Sequence, residues 1–209
     1  MRPVKTSHHS DWKDGFLFLG NQLALDFLNT CPVQNGETVE LLPDFSTLLR
    51  WFEAAGLLRS RDADNLQQHW GRSDRARQAV EAARALREGL RKDVFALEHG
   101  GSVHHSTVAE LNRLMADHPM RTRLKMREGA LSKELWFQAQ LPEDLLAPLA
   151  HGAATLFAEV DRDRVRKCDQ CVLHFLDTSK KGTRRWCSMQ LCGNRLKVAA
   201  YAARQRTLG

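Results

Sequence analysis

The stretch CDQCVLHFLDTSKKGTRRWCSMQLCGNRLK, residues 168–197, holds four of the five cysteines in a chain of 209 residues. They fall as two pairs, Cys168 with Cys171 and Cys187 with Cys192, in the spacing C-x2-C-x15-C-x4-C. A C-x2-C pair supplies two thiolates from one tight turn, and structural zinc takes four such ligands in a tetrahedron. The spacing therefore predicts one structural Zn²⁺ held by these four cysteines, provided that the connecting segment doubles back.

The segment between the pairs can make that return. Residues 172–176 have the composition of an apolar strand, Lys181–Gly182–Thr183 that of a turn, and a return strand can pass through Trp186. Apolar residues at helical spacing over 196–203 predict a helix that starts near Cys192. A knuckle, a β-hairpin and a helix together predict a small treble-clef-like zinc finger.

Other uses of these side chains are weaker. A redox C-x-x-C is expected beside a βαβ unit, which the sequence does not show, and a catalytic zinc keeps an open position that four thiolates would close. His174 lies between the pairs and could compete as a ligand, but its strand position favours a solvent-facing or stacked ring. His8–His9 and His104–His105 are weak metal candidates in predicted loops, and Cys31 is predicted to be a core residue.

Charge is distributed unevenly along the chain. The net charge is +6, yet residues 164–209 carry eleven Lys and Arg against two acidic residues, whereas residues 1–163 are slightly acidic. A basic segment attached to an acidic body is typical of a protein with a polyanionic partner. A surface that merely keeps the protein soluble would have the same composition, so charge alone leaves both interpretations open.

The rest of the chain predicts a mainly α fold. Residues 1–14 are predicted to be a flexible leader, 15–162 a mostly helical domain with a short strand, and 163–209 the finger. Apolar residues at helical spacing fill the stretch 73–100, which is the clearest helix and is ended by Gly100–Gly101. Alternation within residues 121–137, with a turn near Glu128–Gly129, predicts one hairpin.

Two motifs resemble known families. CDQC followed by FLDTSKKGTRRWCSMQLCGNRLK is similar to the CGNR zinc finger, named for the Cys-Gly-Asn-Arg that stands here at 192–195. GNQLALDFLNT, at 20–30, resembles the opening motif of the helical ABATE domain that precedes this finger in bacterial proteins. The resemblance implies a stress-induced transcription regulator whose finger binds DNA.

The residues around the cysteines are candidates for two roles. Gly193, Asn194 and Arg195 follow the last ligand, and we expect them to support the zinc site, although Arg195 could instead contact a base or phosphate. The candidate DNA contacts are the cations of the turn and of the helix beyond it: Lys180, Lys181, Arg184, Arg185, Lys197, Arg204 and Arg206. A solvated helix face is the alternative for the last three.

The helical domain offers a candidate ligand pocket. Asn29 and Thr30 follow Asp26 by three and four residues, which places three polar groups on one side of an apolar helix. They either form hydrogen bonds with neighbouring loops or line a pocket for a small effector. The candidate aromatic lining, which could equally be core, is Trp51, Trp70 and Trp136.

The sequence favours a regulator over an enzyme. It contains no nucleophile–base motif, P-loop or dinucleotide fingerprint. No apolar run is long enough for a membrane span, and the first residues lack the apolar core of a signal peptide, so we expect a cytoplasmic protein with no membrane partner. The leading hypothesis is a DNA-binding transcription regulator, and the alternative is a module whose finger binds a protein or an RNA.

Overall fold

The computed structural model describes residues 12–34, 37–171 and 173–193. Six α-helices lie in these ranges: α1 (Leu23–Leu28), α2 (Phe45–Ala54), α3 (Ser60–Trp70), α4 (Asp74–Glu98), α5 (His105–Asp117) and α6 (Leu146–Ala158). Short strands pair as antiparallel ladders: β1 (Trp12–Lys13) with β2 (Phe16–Leu17), β3 (Val33–Gln34) with β4 (Glu37–Thr38), β5 (Arg121–Arg127) with β6 (Ala130–Trp136), and β7 (Val165–Lys167) with β8 (His174–Leu176). The predicted mainly α fold is confirmed. We call residues 12–160 the body and residues 164–193 the finger.

Helix α4 is the centre of the body. Ser73 caps its first turn, because the Ser73 hydroxyl accepts a hydrogen bond from the backbone N–H of Ala76 at 3.1 Å. Its apolar stripe, which includes Ala83, Leu90 and Val94, is buried, and α1, α2, α5 and α6 all contact this helix. The helix that the sequence predicts most clearly is thus the one against which four other helices pack.

An aromatic cluster fills the space between α1 and α2. The ring centroid of Trp51 lies 5.5 Å from that of Phe27 and 5.3 Å from that of Phe52, and all three side chains are fully buried. Tilted and edge-on pairs at this separation are favourable beyond the area they bury. Asp44 caps α2 by accepting from the N–H of Thr47 at 2.8 Å, which starts the helix where its apolar face begins.

Two prolines set the start of α6. Pro142 begins a single 3-10 turn over Pro142–Leu145, and α6 follows directly at Leu146. Pro148 therefore lies in the first turn of α6, where a backbone N–H would have no helical acceptor and its loss costs little. The helix continues to Ala158 without interruption at Pro148.

The hairpin of β1 and β2 lies partly in the segment that the sequence predicts as a leader. Asp14 and Gly15 connect the strands with φ angles of 49° and 82°. Two successive residues with positive φ form the turn that matches the natural twist of a two-residue hairpin, and Asp-Gly is a preferred sequence for it. Ordered chain thus begins before residue 15, and the Asp-Gly pair is the signal that predicts it.

The predicted hairpin of residues 121–136 is present. Its turn residues Glu128 and Gly129 have φ angles of 49° and 79°, and the strands pair without a break from Arg121–Trp136 to Arg127–Ala130. The outer face is apolar and exposed, with Leu124, Met126, Leu131 and Leu135 each more than half exposed. The polar face is the one turned toward the body.

The finger has its own small core beside the body. Leu173 and Phe175 are buried together with Cys168, Cys187 and Cys192, and Leu19 from the N-terminal side completes the cluster. The finger strands differ from the prediction: β8 pairs with β7 across the C-x2-C turn, and residues 183–187 form no return strand. In place of a return strand, the N–H groups of Ser179 and Arg184 donate to the carboxylate of Asp177, which holds the loop after β8 in an irregular path.

No helix in the described ranges combines the length and apolar composition that crossing a lipid bilayer requires.

Candidate metal centre

The four cysteines of the finger converge on one point. Their Sγ atoms all lie within 4.8 Å of one another, with Cys171 Sγ 3.4 Å from Cys187 Sγ and Cys187 Sγ 3.7 Å from Cys192 Sγ. Tetrahedral zinc with Zn–S bonds of about 2.3 Å requires sulfur atoms about 3.8 Å apart. All five cysteines are free, so no sulfur pair is at the ~2.05 Å distance of a disulfide. The predicted ligand set therefore forms one closed four-thiolate site.

Local backbone bonds hold each pair in place. The N–H of Cys168 donates to the carbonyl of Leu173 at 2.8 Å, which closes the knuckle between β7 and β8. On the other side, a single π-helical turn over Met189–Gly193 carries Cys192, whose N–H donates to the carbonyl of Ser188 at 3.0 Å. The Ser188 hydroxyl accepts from the N–H groups of Gln190 and Leu191 and so caps that turn.

Crowding of the thiols shifts their pKa values in opposite directions. A hydrogen bond with Cys187 lowers the pKa of Cys171 to about 5, although burial opposes this shift. Burial, followed by the proximity of Cys171, raises the pKa of Cys192 to about 12, and the hydrogen bond with Cys171 together with burial raises the pKa of Cys187. One thiolate is stabilised by protonated neighbours, whereas four thiolates together require a cation at their centre. The site fits one structural zinc ion, which would supply that charge.

Arg184 supports the centre from inside the finger. Its guanidinium donates to the carbonyls of Trp186, at 2.7 Å, and Cys187, and lies over the ring of Phe175 at 4.7 Å. These contacts place a positive charge next to the thiolate cluster and fix the backbone on which Cys187 is carried. The sequence predicts Arg184 as a nucleic-acid contact; in the structure its guanidinium has these partners within the finger, and a contact with nucleic acid stays a prediction.

Asp177 organises the loop between the two cysteine pairs. Its fully buried carboxylate accepts from the N–H of Ser179 at 2.8 Å and the N–H of Arg184 at 2.7 Å. Burial acts to raise the pKa of Asp177, but a hydrogen bond with the Ser179 side chain and these two backbone bonds hold the pKa below its usual value. Arg164 donates to the carbonyls of Asp177 and Ser179, and Arg166 donates to that of Gly182. The loop is thus fixed from within by one carboxylate and two guanidinium groups.

The remaining loop cations are on the surface. Lys180 and Lys181 are exposed at the tip, and within the described ranges no acidic side chain pairs with either of them. Arg185 is exposed as well and forms an ion pair with Asp169 at 2.8 Å. Lys167 is exposed on β7, directly before the ligand Cys168. The sequence prediction did not include it. Because neighbouring residues of a strand point to opposite faces, the buried position of Cys168 could have indicated that Lys167 is exposed.

Of the residues predicted to support the zinc site, Gly193 is the last described residue and ends the π-helical turn. The residues beyond it that were predicted to support the zinc or to contact DNA are Asn194, Arg195, Lys197, Arg204 and Arg206, and their roles stay predictions. His8–His9 also lies outside the described ranges.

The predicted ligand-pocket residues are engaged in internal contacts. Asn29 Nδ2 donates to the carbonyl of His174 at 2.8 Å, and Asn29 Oδ1 accepts from the N–H of His174 at 3.0 Å. Thr30 accepts from buried Arg87 at 3.0 Å, and Arg87 also pairs with Glu40 at 2.5 Å. Asp26 accepts from the N–H of Gly20 at 2.7 Å. Neither described cavity is lined by these three side chains, and a ligand there stays a prediction.

These contacts join the finger to the body. In addition to the Asn29 pair, the N–H of Leu176 donates to the carbonyl of Gly20 at 2.7 Å, and Leu19 is buried in the core of the finger. His174 is buried with its Nε2 atom 2.8 Å from a carboxylate oxygen of Glu98 on α4. His174 therefore neither faces solvent nor belongs to the sulfur cluster, and the sequence signal for its role was absent because Glu98 is distant in the chain.

The remaining candidate residues of the body lie in hydrogen-bonded, core or cavity-lining positions. Asp93 is buried and accepts from the backbone N–H of His104 at 2.9 Å, and its carboxylate lies 2.5 Å from His104 Nδ1. Trp51 belongs to the main core, whereas Trp70 and Trp136 line a cavity. Cys31 is half-buried.

Two family models match the chain. Residues 21–160 match ABATE, described as "Putative stress-induced transcription regulator", and residues 164–205 match the CGNR zinc finger. No curated protein matches it. Because the ABATE model covers more than half of the residues, and because the second model coincides with the four-cysteine centre, the chain belongs to the ABATE family and carries a CGNR zinc finger.

Proposed function

We propose that this chain is a transcription regulator that binds DNA through the phosphate backbone with its zinc finger. The observation that carries the proposal is the tip of the finger loop, where Lys180 and Lys181 are exposed on a backbone that Asp177, Arg164 and Arg166 hold from within. A fixed loop presents its charges without a large entropic cost on binding, and lysines serve as point charges for phosphates.

The surrounding charges support the same surface. Lys167 and Arg185 are exposed in the same finger, and the sequence adds further cations at Lys197, Arg204 and Arg206. Family membership among transcription regulators points to DNA rather than another polyanion. The finger thus contributes positioning on the duplex, whereas sequence selection requires contacts to base edges in addition.

We place the protein in the cytoplasm for a chemical reason. Four thiolates must stay reduced to bind zinc, and the glutathione pool of the cytosol maintains that state. The described residues contain no constellation that we assign to catalysis, and both matched families are of the regulator or zinc-finger type. We therefore propose a regulatory rather than an enzymatic role.

The experiment that tests this proposal is the salt dependence of binding to duplex DNA, measured by fluorescence anisotropy with the full chain loaded with zinc. Neutralising Lys180 and Lys181 together (K180Q/K181Q) should make the negative slope of log K against log salt shallower by up to about two units. Each lost phosphate contact reduces the magnitude of that slope by about one unit. The matched control is Lys133→Gln, an exposed lysine on the remote hairpin, which should leave the slope unchanged.

Three results decide between the alternatives. A reduced slope in K180Q/K181Q, with one zinc per chain retained, supports phosphate binding by the loop. An unchanged slope, or affinity for duplex DNA that stays in the non-specific range of about 10⁻⁴–10⁻⁶ M, contradicts it. Tighter binding to single-stranded RNA of the same length would favour the RNA-interaction alternative.

A further inference from the structure

A cavity of about 940 Å³ lies between α3 and the hairpin of β5 and β6. Its floor is formed by the turn that joins α2 to α3 and by α3, and residues 136–140 complete the wall. Small-molecule sites in proteins usually have volumes of about 300–1,000 Å³. The cavity is therefore large enough for an organic molecule, and it is distant in the chain from every cysteine of the metal centre.

Aromatic and apolar side chains form one part of the lining. Trp70 is fixed by a hydrogen bond from its indole N–H to the carbonyl of Gln140 at 3.1 Å. Trp136, at the end of β6, lies under the guanidinium of Arg123 at 5.2 Å, and Leu57 and Leu66 contribute apolar surface. Two oriented indoles with aliphatic neighbours are suited to a flat, apolar ring system.

Basic side chains form the other part of the lining. Arg123 and Lys125 project from the same face of β5, and both lie near Glu134 Oε2, at 3.4 and 3.6 Å respectively. One carboxylate is thus shared by two cations. Arg59 is also in the lining and pairs with Asp62 at 2.9 Å. The lining carries three permanent positive charges against two negative ones, which leaves it with net positive charge.

The orientation of the hairpin turns its basic and aromatic face toward the cavity. The register places Arg123, Lys125 and Trp136 on one face, whereas Leu124 and Met126 lie on the other face and are 69% and 64% exposed. Burial of apolar area would by itself turn the leucine and methionine face toward the body. The basic and aromatic face lies there instead, and a bound anion offers a physical reason for this arrangement.

We propose that this cavity binds a small anionic aromatic molecule, such as an aromatic carboxylate. Its ring system would pack against Trp70 and Trp136, and its carboxylate would be bound by Arg123 and Lys125 in exchange for part of their interaction with Glu134. This site goes beyond the proposed DNA binding and does not depend on it, since none of its residues belongs to the finger.

The test compares two probes that share a ring system and differ in charge, 2-naphthoate and 2-naphthalenemethanol. Their binding to the zinc-loaded full chain is measured without DNA by isothermal titration calorimetry and by quenching of tryptophan fluorescence. The anion should bind at least about tenfold more tightly than the alcohol, which corresponds to the weakest charge-assisted hydrogen bond to a buried or partly buried cation.

Variants on the two faces of the hairpin locate the site. R123Q/K125Q should abolish the preference for the anion while the alcohol still binds, and K125Q alone should give an intermediate preference with Arg123 still over Trp136. Lys133→Gln, on the outer face beside Leu124, is the matched control and should keep the full preference. Thermal unfolding confirms that each variant is folded.

Each outcome of this experiment either supports or overturns the proposed anion site. A tenfold preference that disappears in R123Q/K125Q and persists in K133Q supports the site. Absence of saturable binding of 2-naphthoate below about 1 mM (a binding free energy of about 4 kcal/mol), equal affinity for both probes, or a preference that survives in R123Q/K125Q overturns it. Failure of the chain to bind DNA would leave each of these readouts unaffected.

Discussion

The body and the finger differ in what fills their interiors. In the body, fully buried side chains such as Trp51, Phe27 and Phe52 are surrounded by apolar side chains from several helices. In the finger, the buried apolar side chains are few, and three of the buried residues are zinc ligands. The body can therefore be stabilised by burial, whereas the finger depends on its metal and on its contacts with the body.

The contacts between the two regions are specific and polar at their centre. Asn29 of the body forms two hydrogen bonds with the backbone of His174, and Gly20 accepts a third from Leu176. Leu19 adds an apolar contact. A finger that is so attached has a defined orientation on the body, and the following predictions test how far the stability of each region depends on the other.

Loss of the metal should have the largest effect. The double substitution C187S/C192S removes two ligands, and the lost zinc affinity, on the order of 10 kcal/mol in small fingers, should unfold the finger while the helical signal of the body remains. Elemental analysis should fall from one zinc per chain to none, and hydrogen exchange should become fast at Phe175 but stay slow in α4. The control is Cys31→Ser, which should keep one zinc. Retention of one zinc by C187S/C192S would contradict the assignment of the ligands.

A large cavity in the body should come next. Phe52→Ala removes a fully buried ring and should lower the free energy of unfolding by about 3–5 kcal/mol, measured by urea denaturation. The zinc content below the transition should remain one per chain, because Phe52 does not contact the finger core. Phe95→Ala, at a ring that is 56% exposed, is the matched control and should cost no more than about 0.5 kcal/mol. Simultaneous loss of zinc in folded F52A would show that the two regions are one cooperative unit.

Breaking the connection between the regions should have a smaller effect that is confined to the finger. Asn29→Ala leaves the buried N–H and carbonyl of His174 without their partner and should cost about 2–3 kcal/mol. Transfer of zinc to the chelator 4-(2-pyridylazo)resorcinol should become faster, and so should exchange at His174. Asn21→Gly removes one exposed hydrogen bond to Leu176, fits the φ angle of 54° at this position, and should change the transfer rate little. Equal rates in the two variants would refute a central role for Asn29.

The sequence predicts those features that depend on local spacing. Cys168, Cys171, Cys187 and Cys192 are recognisable because tetrahedral zinc requires two close pairs, and α4 is recognisable because its apolar residues recur at helical intervals. The hairpin of residues 121–136 follows from alternation and the Glu128–Gly129 turn in the same way.

Contacts between distant residues could not be predicted from spacing. The string Lys180-Lys181-Gly182-Thr183-Arg184-Arg185 contains four equivalent cations, yet only the fold turns Arg184 inward to the carbonyls of Trp186 and Cys187. Alternation likewise predicts two faces for the hairpin but not which face is turned toward the body. The partner of His174 lies on α4, and nothing in the local sequence around His174 indicates Glu98.

The smallest predicted effect concerns a carboxyl group at the junction of the two regions. Burial raises the pKa of Asp26 to about 7, although the N–H groups of Gly20 and Leu19 act in the opposite direction. Between about pH 4 and pH 7 the folded chain keeps a proton that the unfolded chain has lost, so this stabilising contribution is complete at low pH and is lost as the pH rises through about 7.

Substitution of Asp26 by Asn should remove this dependence while the side-chain oxygen still accepts from Gly20. From pH 5 to pH 8 the unmodified chain should lose about 2 kcal/mol more stability than Asp26→Asn, as measured by urea denaturation at each pH. All other ionisable groups are the same in both chains, so the difference between the chains isolates Asp26. Parallel pH profiles for the two chains would show that Asp26 is ionised in the folded state, and the junction would then hold a buried negative charge beside the Leu176–Gly20 hydrogen bond.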